Sequence, residues 1–227
     1  MIRKAVLTLF SLAFLLLHLE NLKATAGNED RILAVAQNME AAFNKLEDYT
    51  CEVEQIFYRD GAENQRYLFK FYFKKEKTIR VDFFQPHSGL TIFYSNEDKE
   101  ATVIPLRSLP GLKFRLSVDN PLMKTLAGQR INQTDMGYFI KFVFRNLRSV
   151  EQKENEFRED NDQVEFLFWA MDYIEEKSPE KYRISISKEH WLPIRIERYD
   201  STGSRLEVTD IRNYVLNAHL QNKYFMP

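Results

Sequence analysis

Cysteine is nearly absent from this chain. Cys51 is the only one in 227 residues, so no intrachain disulfide can staple the fold and a packed core must hold it. Cys51 falls in the alternating run Cys51, Val53, Phe57, where a small buried hydrophobe is expected rather than a reactive thiol. Glycine is scarce too. The seven glycines are not spaced as a phosphate-binding loop or a dinucleotide fingerprint. G-x-S-x-G and H-E-x-x-H are both missing. Beyond the N-terminal leader only His87, His190 and His219 remain. They lie far apart in turn or surface contexts, so neither a zinc set nor an oriented base beside a nucleophile is expected. An excess of basic charge is also lacking. The formal net charge is −1, which offers nucleic-acid phosphates no concentrated basic face. No repeats, low-complexity tracts or Pro/Gly-rich linkers divide the chain.

The N-terminus has the pattern of a secretory leader. Arg3 and Lys4 precede the apolar run Ala5–Leu19, and Ala24-Thr25-Ala26 ends it as an A-x-A cleavage signal. The apolar run falls short of the roughly twenty residues a spanning helix needs. Residues 1–26 are therefore expected to be a signal peptide cleaved after Ala26. That leaves 27–227 as one exported domain with no second hydrophobic segment of spanning length. Removing the leader takes the formal charge from −1 to −3.

What the chain has in quantity is aromatic surface: eighteen Phe, eleven Tyr and two Trp. It is densest in Tyr67–Phe84. There Phe69, Phe71 and Phe73 share one strand face, with Lys70 and Lys74 on the other. After the charged break at Lys74–Lys77, Ile79, Val81 and Phe83 alternate with Arg80 and Asp82. A period of two joined by a polar turn predicts an antiparallel hairpin with one greasy face. That face must cover a core, another layer or an apolar ligand.

The remaining pattern is mostly strands. An amphipathic helix is expected over Glu29–Leu46, with Ile32, Val35, Ala36, Met39, Phe43 and Leu46 on one stripe. Strands follow at Thr50–Arg59, Gln65–Lys74, Thr78–Phe84, Leu90–Tyr94 and Ala101–Ile104. Pro105 to Pro121 reads as irregular, and Pro121–Leu126 as a short helix ending near Gly128. Thr134–Leu147 suits a second helix capped by Thr134 or Asp135, although the aromatics of Tyr138–Phe144 would also suit a strand. Gln163–Met171, Lys181–Ser187, Leu192–Tyr199 and Arg205–Tyr214 complete a meander of eight to eleven strands. The acidic run Glu151–Asp162 lacks the glycine of a calcium loop and reads as a solvated hairpin tip. Too few helices are present to cover both faces of a flat sheet this large. The expected fold is α+β: a strongly curved antiparallel β-sheet, an unclosed β-barrel, with helices covering the concave face. Phe139, Ile140, Phe142, Val143 and Phe144 cover more than one side of their helix, so two layers or a ligand must touch it.

The segments MEAAFNKLEDYTCEVEQ, YFKKEKTIRVDFFQPHSGLTIFY, PLRSLPGLKFRLSVDNPLMKTLAGQRINQTDMGYFIKF and RISISKEHWLPIRIERYDSTGSRLEVTDIRNY carry a resemblance over nearly the whole mature chain. In order and spacing they resemble the LolA-like outer-membrane lipoprotein-sorting proteins, in particular an uncharacterised exported branch of that superfamily. The resemblance implies a periplasmic, non-enzymatic carrier or chaperone in outer-membrane biogenesis, without cofactor or metal. It would hold acyl chains of lipids or lipoproteins and exchange them between a membrane donor complex and an outer-membrane acceptor. The cavity lining so implied is Phe69, Phe71, Phe73, Ile79, Val81, Phe83, Ile92 and Tyr94, with Phe139, Ile140 and Val143 as lid. The family's lid-latching arginine aligns with Lys75, with Arg80 as a substitute only if its side chain turns inward. The Leu106–Gln133 insert is longer than the lid of the sorting carriers. Since the superfamily also includes envelope-stress sensors, the alternative is a non-catalytic sensor or protein-interaction module with a collapsed interior. An enzyme built around His87 or His190 is the third reading.

Overall fold

The computed structural model describes residues 27–98, 100–149, 155–171 and 179–227; the expected leader, 1–26, lies outside the described residues. A helix over residues 27–44 (α1) leads into β1 (Asp48–Arg59), β2 (Ala62–Lys74), β3 (Thr78–Gln85), β4 (Thr91–Ser95), β5 (Glu100–Ile104) and β6 (Phe114–Ser117). Helix α2 (Met136–Ser149) follows. The chain then returns through β7 (Glu156–Glu159), β8 (Gln163–Met171), β9 (Pro179–Ser187), β10 (Pro193–Tyr199) and β11 (Arg205–Leu216). All eleven strands form one antiparallel sheet in the order β6-β5-β4-β3-β2-β1-β11-β10-β9-β8-β7. The outer strands β6 and β7 do not pair with each other, so the barrel stays open. Bulges at Thr50/Glu52, Phe57/Tyr58 and Leu68/Phe69 bend the long central strands, as an extra unpaired residue does. The expected α+β architecture, a curved unclosed sheet with helices over its concave side, is the one present.

Three local expectations need correction. Pro121–Met123 is a single 3₁₀ turn rather than a helix reaching Leu126, because a tight turn at Thr125–Gly128, with Gly128 at φ +80°, breaks it. Phe114–Ser117, inside the stretch expected to be irregular, adds to the sheet beside β5. Glu156–Glu159, inside the acidic run, pairs with β8, leaving only Asp160–Asp162 as the hairpin tip. At Tyr138–Phe144 the helix prevails over the strand. Its cap is Asp135, whose Oδ1 accepts the Tyr138 N–H at 3.0 Å, satisfying a donor with no intrahelical partner.

The concave face is covered unequally. Over β8 and β9, Ile32, Val35, Ala36 and Met39 of α1 interlock with Phe139, Ile140, Phe142 and Val143 of α2, and with Phe166, Phe168, Tyr182, Ile184 and Ile186 of the sheet. The two helices approach closely at Gly137, where a Cβ would stand 2.6 Å from Phe43 Cε1, so a larger residue would have to displace the Phe43 ring. Over β1–β6 the cover is not a helix but the lid segment 120–136. The convex side of β2 and β3 is crossed by the C-terminal segment: Lys74 Nζ donates to the Leu220 carbonyl (3.1 Å) and Asn222 Oδ1 (2.7 Å).

Candidate functional site

Between the lid segment and strands β1–β6 and β9–β11 lies a cavity of about 660 Å³. Alternation makes its wall: in-facing Tyr49, Cys51 and Val53 of β1, Phe69 and Phe71 of β2, Val81 and Phe83 of β3, Ile92 of β4, Val103 of β5 and Ile211 of β11. The lid contributes Met123 and Ile131, both buried. It is knit together by its own polar groups. Asn120 Oδ1 accepts the Leu122 N–H at 3.0 Å, Arg130 pairs with Asp119 at 2.7 Å, and Lys124 and Arg130 form an isolated β-bridge. Leu106, Leu109, Leu112, Phe114, Leu122 and Leu126 are exposed, and of these Phe114 and Leu122 border the cavity.

Of the eleven residues expected to line a cavity, the structure brings Phe69, Phe71, Val81, Phe83, Ile92 and Phe139 to its surface. Phe73, Ile79 and Tyr94 face the same way but lie in the packed core beyond one end. There Phe73 meets Phe43 of α1 at 5.7 Å and Tyr49 at 5.1 Å between ring centroids. Ile140 and Val143 are spent on the α1–α2–β8–β9 core rather than on the cavity.

The two residues aligned with the latch do different work. Lys75 Nζ donates to the Asn44 carbonyl at 3.0 Å and Glu47 Oε1 at 3.1 Å, a cation at the C-terminal end of α1 where the helix dipole favours it. Arg80 turns outward. It forms a fork on Asp82, with both bonds at 2.9 Å, and donates to the Tyr224 carbonyl at 3.0 Å. Burial alone would raise the Asp82 carboxyl, but Arg80 and Arg107 outweigh it and hold it below the usual range. The side chain that reaches the lid is Lys77. Its Nζ donates to the Asn132 carbonyl at 3.1 Å and lies 3.3 Å from buried Asp135 Oδ2. That Asp135 contact is an ion pair rather than an aligned hydrogen bond. Tyr49 adds a second tie: its phenol oxygen accepts the Met136 N–H at 3.3 Å, and burial pushes its pKa well up, keeping it neutral.

Sequence reasoning missed Lys77, because three lysines crowd the β2–β3 tip and only the left-handed backbone there (Lys77 φ +67°) decides which one faces the lid. It also missed Gln55, Arg198, Glu207 and Thr209, which line one end of the cavity. For Gln55 and Arg198 the signal was available, since each occupies the in-facing parity of a strand otherwise filled by apolar residues, whereas the same parity of β11 is mixed (Arg205, Glu207, Thr209, Ile211). Among the described residues no three His, Cys, Asp or Glu side chains converge as metal ligands would.

Neither a protein-family model nor a curated protein matches the sequence. Among solved structures the chain is similar to a Vibrio parahaemolyticus protein described as an outer membrane lipoprotein-sorting domain. That likeness has 16% identity and a TM-score of 0.48, covering 87% of this chain and 97% of that one. It is similar also to a LolA superfamily protein from Nitrosomonas europaea (14%, TM-score 0.40, 86% and 97% covered). A third is the Mycobacterium tuberculosis lipoprotein LppX (10%, TM-score 0.46, 85% and 98% covered).

Proposed function

We propose that this protein is an exported, non-catalytic carrier that holds acyl chains of lipids or lipoproteins in its cavity for transfer between envelope membranes. The observation that carries this reading is the cavity itself. Its size falls within the roughly 300–1,000 Å³ common for small-ligand sites, and 17 of its 33 lining residues are Phe, Val, Ile, Leu or Met. Each methylene buried from water against the apolar part of the wall contributes about 0.8 kcal/mol. The unfilled interior supports a carrier over a sensor module with a collapsed core. The mechanism is reversible burial. Lys77 and Tyr49 hold the lid at its α2 end, the lid swings from the β6 side, and the exposed rim of Leu106, Leu109, Leu122 and Leu126 meets the donor or acceptor. Native mass spectrometry of protein purified from a membrane-containing lysate should show bound lipid, and delipidated protein should take up a fluorescent fatty acid. A protein that is empty from lysate and refuses the probe would sink the reading.

A further inference from the structure

Ten large apolar side chains stand exposed among the described residues, and six of them fall in the single stretch Leu106–Leu126. Scattered exposure needs no explanation, but a cluster does. The backbone gathers this one. Two successive turns are closed by the Leu109 N–H on the Leu106 carbonyl (2.9 Å) and the Leu112 N–H on the Leu109 carbonyl (3.0 Å). Each turn brings its two leucines within about 7 Å at Cα. Strand β6 then carries Phe114 to the border of the cavity, which Leu122 meets from the lid. The C-terminal segment arrives at the same corner. Lys113 Nζ donates to the Pro227 carbonyl at 2.8 Å, so exposed Met226 neighbours that contact from one side as Leu112 does from the other.

The charges here have a bias opposite to that of the whole. Residues 105–130 hold Arg107, Lys113, Arg115, Lys124 and Arg130 against Asp119 alone, in a chain whose formal charge without its leader is −3. Partners from elsewhere reduce the excess without cancelling it. Arg107 reaches Asp82 at 2.8 Å, where Arg80 already forks on the same carboxylate. Arg115 lies 3.2 Å from Glu100 and 3.9 Å from Asp98, and Arg130 pairs with Asp119 at 2.7 Å. With these partners, Lys223 and the α-carboxylate of Pro227 all counted, seven basic groups stand against five acidic ones.

We propose that this corner is a docking surface for a lipid bilayer bearing anionic head groups. Leu106, Leu109, Leu112 and Leu122 enter the apolar boundary, and Arg107, Lys113 and Lys124 lie at head-group level. Leucines interleaved with Lys and Arg suit an interface of this kind, because the first insert while the long stems of the second reach outward to phosphate. A protein partner fits less well. Protein interfaces are depleted in Lys, and their hot spots are aromatic or Arg rather than Leu. Because Phe114 and Leu122 border the cavity, a bilayer seated here faces its mouth. The proposal rests on the carrier reading for its purpose and adds the surface across which a chain would enter.

Co-sedimentation of the exported, delipidated protein with vesicles of phosphatidylcholine, and of phosphatidylcholine mixed with phosphatidylglycerol, tests it. The anionic vesicles should hold the protein about tenfold better than the neutral ones, and added salt should narrow the gap. Leu109→Asp combined with Leu112→Asp should weaken binding to both by about tenfold or more. Neither leucine lines the cavity, so uptake of N-phenyl-1-naphthylamine and the melting curve should stay as they were. Val215→Asp, at an equally exposed site on β11, should leave vesicle binding unchanged. Failure of the unaltered protein to bind either vesicle overturns the docking surface, and continued uptake of the probe would leave the carrier reading standing. Binding that survives the paired leucine substitutions also overturns it. So does a dimer in analytical ultracentrifugation that those substitutions dissolve, which would assign the corner to a second copy of the chain. Vesicle binding that depends on the leucines, in a protein that takes up no alkyl probe, supports the docking surface and removes the carrier reading.

Discussion

The two halves of the sheet present the same kind of face and do opposite things with it. Over β8 and β9, the in-facing Phe166, Phe168, Ile184 and Ile186 are wholly buried beneath α1 and α2. Over β1–β5, in-facing Phe69, Val81, Ile92 and Val103 look into open space under a lid made of turns. Strand chemistry does not separate them, since both alternate apolar and polar residues. The cover does. A helix offers a continuous apolar stripe that fits against a sheet, whereas the lid offers Met123 and Ile131 at two points and bridges what it cannot fill.

That contrast can be broken by substitution, and the largest effect belongs to the filled half. Phe142 packs edge-on against Tyr182 at 5.1 Å and Phe168 at 6.3 Å. Phe142→Ala should cost about 3–5 kcal/mol in chemical denaturation, against about 1–2 for Phe69→Ala on the cavity wall. Equal losses would mean the cavity wall is as tightly packed as the core. Adding volume should sharpen the difference. Val143→Phe, at a fully buried site, should destabilise by about 1–3 kcal/mol. Val103→Phe, on the cavity wall, should leave the denaturation midpoint nearly unchanged while cutting uptake of an alkyl probe. A smaller change is expected at the lid's tie. Lys77→Met removes the ion pair to buried Asp135; because Lys77 is partly exposed, the loss should be about 1–2 kcal/mol. Amide exchange should quicken across 120–136 but not in β8 or β9. Exchange that quickens in both halves alike would show the lid is not a separate opening unit.

The smallest effect sits on the border between the halves. His190 lies between Trp191 of the filled core and Tyr214 of the hollow one, its ring 4.8 Å from Tyr214. Burial lowers its pKa, and neighbouring Glu189 offsets only part of this. The unfolded chain therefore takes up this proton first. The stabilising contribution is complete above about pH 6.5 and is lost as pH falls from there through the folded value. His190→Gln should flatten thermal stability across that interval, and an unchanged slope would assign it to other groups.

Much of this was legible in the sequence, and the misses have physical causes. Alternation correctly gave Phe69, Phe71, Val81, Phe83 and Ile92 one face. It could not say that Phe73, Ile79 and Tyr94, on that same face, would sit past the end of the hollow, because periodicity reports the side of a strand and not what lies above each turn of it. Ile140 and Val143 were expected in the lid from the resemblance, while the apolar sides of α2 left two layers or a ligand open; the second layer is α1, with Phe43 resting on Gly137. Phe114–Ser117 was hidden by the prolines before it. Lys77 was hidden among lysines whose backbone conformations no pattern reveals.

Pairing between β1 and β11 has a consequence for the order in which the protein matures. Each half is a meander of neighbouring strands that can form from local contacts. Gln55 and Glu207, by contrast, are 152 residues apart in the chain, and such distant partners must meet at the cost of closing a long loop. The polar end of the cavity therefore comes into being only when the final strand docks. A chain whose last strand has not yet docked has the apolar walls of the cavity but not its polar end.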